Sequence, residues 1–221
     1  MGKQWDKIFK QYGKVFAKVE EDIPRITKLF KKRGIKRVLD LGCGSGRHTV
    51  YLAKHGSNVY GIDIAPEGIK MTKDWLKKEK FKANLEIGDI YEKLPYPNHF
   101  FDAIISTQAL HHNRIEKIRK LIKEIERILK QGGLIFATVS KRKSRKLLKK
   151  IPKEKLWKLK FIAPRTFISL GGDEKGLIHY WFNKKILQKE FNNFKIYDIW
   201  VESKEGHYCL LGELKSKNAK N

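Results

Sequence analysis

The 221-residue chain is 41% apolar and 33% charged, which supplies the interior of one globular domain and excludes global disorder. No apolar run approaches the roughly 18 residues of a membrane-spanning helix, and the N-terminus lacks a secretory pattern. Two cysteines, Cys43 and Cys209, make no disulfide framework. A cytoplasmic protein without membrane contact is therefore expected. The net charge of +25 rests on 49 Lys and Arg, only ten of them Arg and all spread from end to end, which points to a general lysine bias over an arginine-built groove.

Residues 1–35 read as one or two amphipathic helices, with Trp5, Ile8, Phe9, Tyr12, Val15 and Phe16 as an apolar stripe that packs on the domain or covers a ligand. A short strand at 38–41 is followed by a helical stretch at 49–55, a β-branched strand at 58–64, a helix at 66–80 and a strand at 83–87. Residues 101–107 form a buried strand. The helix at 114–130 carries Ile118, Leu121, Ile122 and Ile125 at helical spacing and is stopped by Gly132-Gly133, before a strand at 134–139. Between 141 and 160 stand eleven basic residues and one acid, Glu154, a stretch that either binds an anionic partner or forms a solvated face with Leu147, Leu148, Ile151, Leu156, Trp157 and Leu159 inward. Asn183 can cap a helix to about residue 192. Strands at 195–202 and 207–214 are joined too closely for a crossover helix and must pair antiparallel. The alternation predicts an α/β fold, a doubly wound and mostly parallel sheet with helices on both faces.

The loop after the first strand reads Asp40-Leu41-Gly42-Cys43-Gly44-Ser45-Gly46-Arg47. Glycines there let a backbone approach a ligand, and the following helix offers free N–H groups. Asp63, 21 residues after Gly42, ends the second strand, where a carboxylate can take both hydroxyls of a ribose. A dinucleotide fingerprint starting at Gly42 needs glycine at position 47, which is Arg. With Asp40 beside the loop, a diphosphate is disfavoured and the α-ammonium of an amino-acid-bearing nucleoside is attracted.

These motifs resemble the class I S-adenosylmethionine-dependent methyltransferases, in particular the small group whose first motif reads like VLDLGCGSGRHT, closely over 36–140 and loosely in the final hairpin. The resemblance implies a Rossmann-like, seven-stranded sheet with the last strand antiparallel. It implies S-adenosylmethionine as cofactor, with Asp40, Gly42 and Gly44 around the methionine moiety, Cys43 and Gly46 among the cofactor-binding residues of the same loop, and Asp63 on the ribose. Ile64 then lies against the adenine, with Asp89 at the adenine amino group, Ile90 beside the ring, and Thr107 where the fourth-strand motif floors the reactive methyl. It divides one domain into an N-terminal helical cover (1–35), a cofactor-binding core (36–140), a substrate-covering insertion (141–180) and a final helix and hairpin (181–215).

Methyl transfer from a sulfonium is an in-line displacement that needs positioning and dryness, and a base only for a protonated acceptor. Candidates for that base are Gln108, His111 and His112, of which adjacent histidines are expected to send at most one into the pocket. His48, Tyr12, His179, Tyr180 and His207 are weaker candidates that fit packing or surface better. No histidine spacing marks a metal site. Thr107-Gln108-Ala109-Leu110 stands where members acting on adenine or glutamine amides carry an Asn-Pro-Pro-Tyr-like tetrad, which argues against such substrates. A small-molecule acceptor is expected. Residues 109–112 also resemble the wobble-uridine tRNA methyltransferases, so RNA bound by 141–160 is the alternative, and a cofactor-binding module without turnover a further one.

Overall fold

The computed structural model of the chain describes residues 2–13, 17–142, 158–203 and 206–216. Helices α1 (Gly2–Tyr12) and α2 (Ile23–Lys32) lead into β1 (Arg37–Leu41), α3 (Arg47–Lys54), β2 (Asn58–Asp63), α4 (Pro66–Lys78) and β3 (Asn84–Ile87). Then come β4 (Phe101–Thr107), α5 (Ile115–Ile128), β5 (Leu129–Ser140), β6 (Leu159–Ala163), β7 (Thr166–Ser169) and β8 (Ile178–Tyr180). Helix α6 (Lys184–Glu190) and strands β9 (Phe194–Val201) and β10 (His207–Leu214) complete the described chain.

Seven strands form one sheet in the order β3-β2-β1-β4-β5-β10-β9. The pairs from β3 to β5 are parallel, whereas β10 runs antiparallel to both β5 and β9, so the expected doubly wound sheet with an antiparallel last strand is the observed one. Strands β1 and β4 are covered on both faces, which is why they read as unbroken apolar runs and not as alternating ones. One face receives Ile118, Leu121, Ile122 and Ile125 of α5 against Leu39, Leu41 and Ile104. The other receives Ile23, Ile26 and Phe30 of α2 with Val50 and Leu52 of α3 against Val38, Ala103 and Ile105. Each of the buried Val, Leu, Ile and Phe side chains among these contributes about 1.5–3 kcal/mol by leaving water. Asn183 caps α6 as expected, its side chain accepting the Ile186 N–H at 2.8 Å.

Two features depart from the sequence pattern. Helix α5 ends at Ile128, ahead of the glycines, because the N–H groups of His99 and Phe100 take the carbonyls of Arg127 and Ile128 at 2.9 and 2.7 Å and draw the chain into β5. Gly132, at φ +75°, sits instead in an irregularity where the register jumps from Phe101 opposite Leu129 to Ala103 opposite Leu134. Second, the segment after β5 folds into an antiparallel sheet β6-β7-β8 whose strands are too short and too unevenly buried to show period-two patterning. This sheet is fastened to the main one by Tyr180 N–H on the His111 carbonyl at 2.8 Å and Phe182 N–H on the Ser140 carbonyl at 2.9 Å. Of the N-terminal stripe, Ile8 and Phe9 are buried and Tyr12 is exposed. Val15, Phe16 and residues 143–157 of the basic stretch lie outside the described residues.

Candidate active site

The carboxyl ends of β1 to β5 converge on a cavity of about 900 Å³. Gly42, Cys43, Gly44 and Ser45 line it, backbone foremost. Gly42 turns at φ +80°, and a Cβ there would come within 2.4 Å of the Ala109 Cβ, so only glycine lets the loops after β1 and β4 touch. Gly46, expected at the ligand, is not among the lining residues. It opens α3 at φ +88° against Thr72 of α4, where a Cβ would meet that side chain at 2.6 Å, and its part is the turn itself.

Asp63 lines the cavity at the end of β2. Its Oδ2 accepts the Gly44 N–H at 2.8 Å and its Oδ1 the Ala65 N–H at 2.9 Å. A carboxylate has about four lone-pair sites, so both oxygens can still receive hydroxyls. Burial raises its pKa, opposed by those backbone N–H groups. Ile64, Asp89 and Ile90 also line the cavity, and Asp89 shapes its own turn by accepting the Tyr91 N–H at 2.9 Å. Asp40 is placed differently from the expectation. It is 1% exposed and absent from the lining, with Oδ2 on the Thr49 hydroxyl at 2.7 Å and Oδ1 buried without a partner. Burial pushes it up to about 6 against that hydroxyl, and what reaches a ligand is its field through the loop.

Beyond β4 the chain turns sharply. Gln108 takes φ +57°, unusual for a side-chain-bearing residue, and its Nε2 donates to Glu20 Oε1 at 3.3 Å. His111 and His112 both line the cavity, with ring centroids 4.3 Å apart and tilted 35°. The expectation of one inward histidine fails because the pair sits in a turn, where strand alternation does not apply. Burial, with neighbouring imidazoles, depresses His111 well below its ordinary value and His112 to about 3. His179 of β8 is pushed down to about 4 by burial, so all three rings are neutral at pH 7. Such weakly basic groups are poorly matched to proton abstraction near neutrality. Each brings one ring nitrogen within 4.8 Å of the others.

Several lining residues had no role assigned from the sequence beyond that of weak candidates or of a segment that packs or covers a ligand. His48 is 2% exposed. Its Nε2 accepts the Glu20 N–H at 3.3 Å, so the neutral ring donates from Nδ1 to Thr107 Oγ1 at 3.0 Å and orients that hydroxyl at the cavity floor. Arg47, the first residue of α3, places a guanidinium at the cavity rim near Glu20 and Asp40. Trp5, Ile8 and Phe9 of α1 close one side, and Phe161, Phe167 and Trp181 of the small sheet close another. The two covers meet where Tyr12 Oη donates to Asp173 Oδ1 at 2.7 Å and Gln4 Nε2 to the Asp173 carbonyl at 3.0 Å. The available signal was the aromatic content of those segments, with no spacing to distinguish a chamber wall from core. Tyr180, by contrast, belongs to the core.

The profile of a methyltransferase-domain family matches residues 39–137. Over 104 residues the chain is 36% identical to an uncharacterised methyltransferase of Synechocystis sp., covering 47% of this chain and 46% of that protein. Over 107 residues it is 34% identical to the ubiquinone biosynthesis O-methyltransferase of Coxiella burnetii, covering 48% and 44%. Both stretches span under half of the curated relative's length. Among solved structures, the PH0226 protein of Pyrococcus horikoshii OT3 shares the fold with a TM-score of 0.74 at 20% identity, over 95% of this chain and 99% of that one.

Proposed function

We propose that the chain is a class I S-adenosylmethionine-dependent methyltransferase, as the methyltransferase-domain match over residues 39–137 supports, and that it methylates a small-molecule acceptor held in the covered cavity. The supporting observation is the double cover. Helix α1 and the β6-β7-β8 sheet are joined through Asp173 over a chamber walled by Phe161, Phe167 and Trp181, dimensions and lining suited to a cofactor with a compact, partly apolar acceptor. S-adenosylmethionine, when bound, supplies an electrophilic methyl group on a sulfonium. The residues of this chain then have to hold, orient and dry. Asp63 receives the ribose hydroxyls, Ile64 and Ile90 flank the adenine, and Asp89 accepts its amino group. The 42–45 backbone and the Arg47 guanidinium hold the amino-acid end, with the buried Asp40 behind. Thr107, fixed by His48, sits at the floor near the transferring methyl, and Gln108 lines the approach. Orientation and exclusion of water supply most of the catalysis of an in-line displacement.

The whole chain acts as one methyltransferase domain in this proposal, in the cytoplasm, with residues 141–180 setting the acceptor. The Coxiella relative is named for O-methylation, and an oxygen acceptor is the first to test. Purified protein is incubated with methyl-labelled S-adenosylmethionine and, separately, metabolite extract, tRNA and rRNA. Donor binding by calorimetry and label in a low-mass product are expected. Label in RNA would transfer the proposal to the basic 141–160 stretch, and donor binding without transfer to any pool would leave a cofactor-binding module.

A further inference from the structure

We propose that His111, His112 and His179 form a binding site for one divalent transition-metal ion, zinc by ligand type, in the wall of the acceptor chamber. The three side chains come from two separate parts of the chain, the turn after β4 and strand β8, yet one ring nitrogen of each lies within 4.8 Å of the other two. They are 4%, 4% and 3% exposed. His111 Nδ1, His112 Nδ1 and His179 Nε2 are all buried with no hydrogen-bond partner, although buried ring nitrogens ordinarily find one. An unpartnered nitrogen on each of three neighbouring imidazoles is a costly way to fill a core and a direct way to hold one cation.

The framework around them is built for fixed placement. Tyr180 N–H on the His111 carbonyl at 2.8 Å ties β8 to the turn that carries the other two histidines. Phe167 stacks on His179 at 5.1 Å with planes 9° apart, and Trp5 meets His112 edge-on at 5.2 Å. Glu174 Oε2 stands 3.5 Å from His179 Nε2 and puts a carboxylate beside the cluster. Tetrahedral zinc with three imidazoles brings its nitrogens to about 3.3 Å from one another, so the rings need to close by up to about 1.5 Å. Three protein nitrogens leave a fourth position open to the cavity, the arrangement of catalytic and not of structural zinc.

What such an ion does here rests on the methyl-transfer proposal, although its binding does not. An acceptor hydroxyl or thiol coordinated at the open position loses its proton to solvent more readily. The resulting anion forms a bond to the methyl carbon, the carbon–sulfur bond of the sulfonium breaks, and its electron pair stays on sulfur as a neutral thioether. This gives the chamber a means of activating the acceptor that histidines of such low basicity lack as proton acceptors.

The test uses untagged full-length protein stripped with chelator, titrated with Co²⁺ alone and then Zn²⁺, with calorimetry and visible absorption. One equivalent of Co²⁺ with a tetrahedral ligand-field spectrum, displaced by Zn²⁺, is expected. His179→Ala and His111→Ala should each lower metal affinity by at least about a hundredfold, since losing even an outer partner of a ligand costs ten- to a hundredfold. His55→Ala, at an unrelated half-buried ring, should change nothing. S-adenosylmethionine binding is measured on every variant as a check on folding, with His112→Ala used if either of the first two fails it. Absence of stoichiometric metal binding, or binding undiminished in the histidine variants, overturns the site. Metal bound without donor affinity would leave the site standing and sink the proposed methyl transfer.

Discussion

Both oxygens of Asp63 are already engaged with backbone, Oδ2 on Gly44 and Oδ1 on Ala65, so this side chain shapes the cavity as well as facing it. Asp63→Ala is expected to weaken S-adenosylmethionine binding about tenfold or more by calorimetry, the range for losing hydrogen bonds to a charged group, and unchanged affinity would contradict the ribose role. Asp40 makes a different prediction. Its folded pKa of about 6 lies above the roughly 3.9 of an unfolded aspartate, so between those values the folded protein holds a proton that the unfolded chain has released. Its contribution to stability is therefore complete at low pH and lost as pH rises from about 4 to about 6, by up to about 3 kcal/mol. Asp40→Asn should gain stability relative to the parent across that interval in paired thermal melts, and a constant offset would show that Asp40 is not the titrating group. Both aspartates were legible from position alone, because a carboxylate at the end of a parallel strand beside a glycine turn has few other uses. The concealment of Asp40 was not legible, since spacing does not say which side of a loop a side chain takes.

The elements of the core followed from apolar periodicity, and β1 to β4 with their helices appear close to the expected bounds, whereas β5 begins five residues ahead of the expected strand. The covers did not follow. Strands β6, β7 and β8 span three to five residues each, and their aromatic side chains serve a chamber wall as easily as a core. His111 and His179 are brought together only by backbone pairing between a turn and one of those short strands, which no local spacing rule can anticipate. Helix α1 is docked by the Glu67 N–H on Asp6 Oδ1 at 2.8 Å and by Phe9, which is buried and packs over Gly44. Phe9→Ala removes a side chain whose burial is worth about 1.5–3 kcal/mol, enough for donor release to quicken roughly tenfold. Stopped-flow displacement of a fluorescent donor analogue reads this directly, and an unaltered release rate would mean that α1 does not close over the cofactor.

Across the whole molecule, the charge of +25 gives any polyanion a reason to adhere. Adhesion of that kind weakens by about 10³-fold or more between 50 and 200 mM salt when many phosphates are contacted, whereas contacts inside a closed chamber are screened far less. Binding of tRNA to filters should thus collapse over that range while donor affinity shifts by no more than about twofold. RNA methylation that persists at the higher salt would instead point to a dedicated RNA site. The sheet order carries a consequence for how the protein is made. Strand β9 is translated before β10, yet β10 is its only neighbour among the described strands and also the strand that joins it to β5. Until His207–Leu214 has emerged from the ribosome, β9 lacks its partner among the described strands and the flank of β5 that β10 covers stays open. Interruption of translation inside β10 would release a product prone to self-association even though its cofactor loop is fully translated.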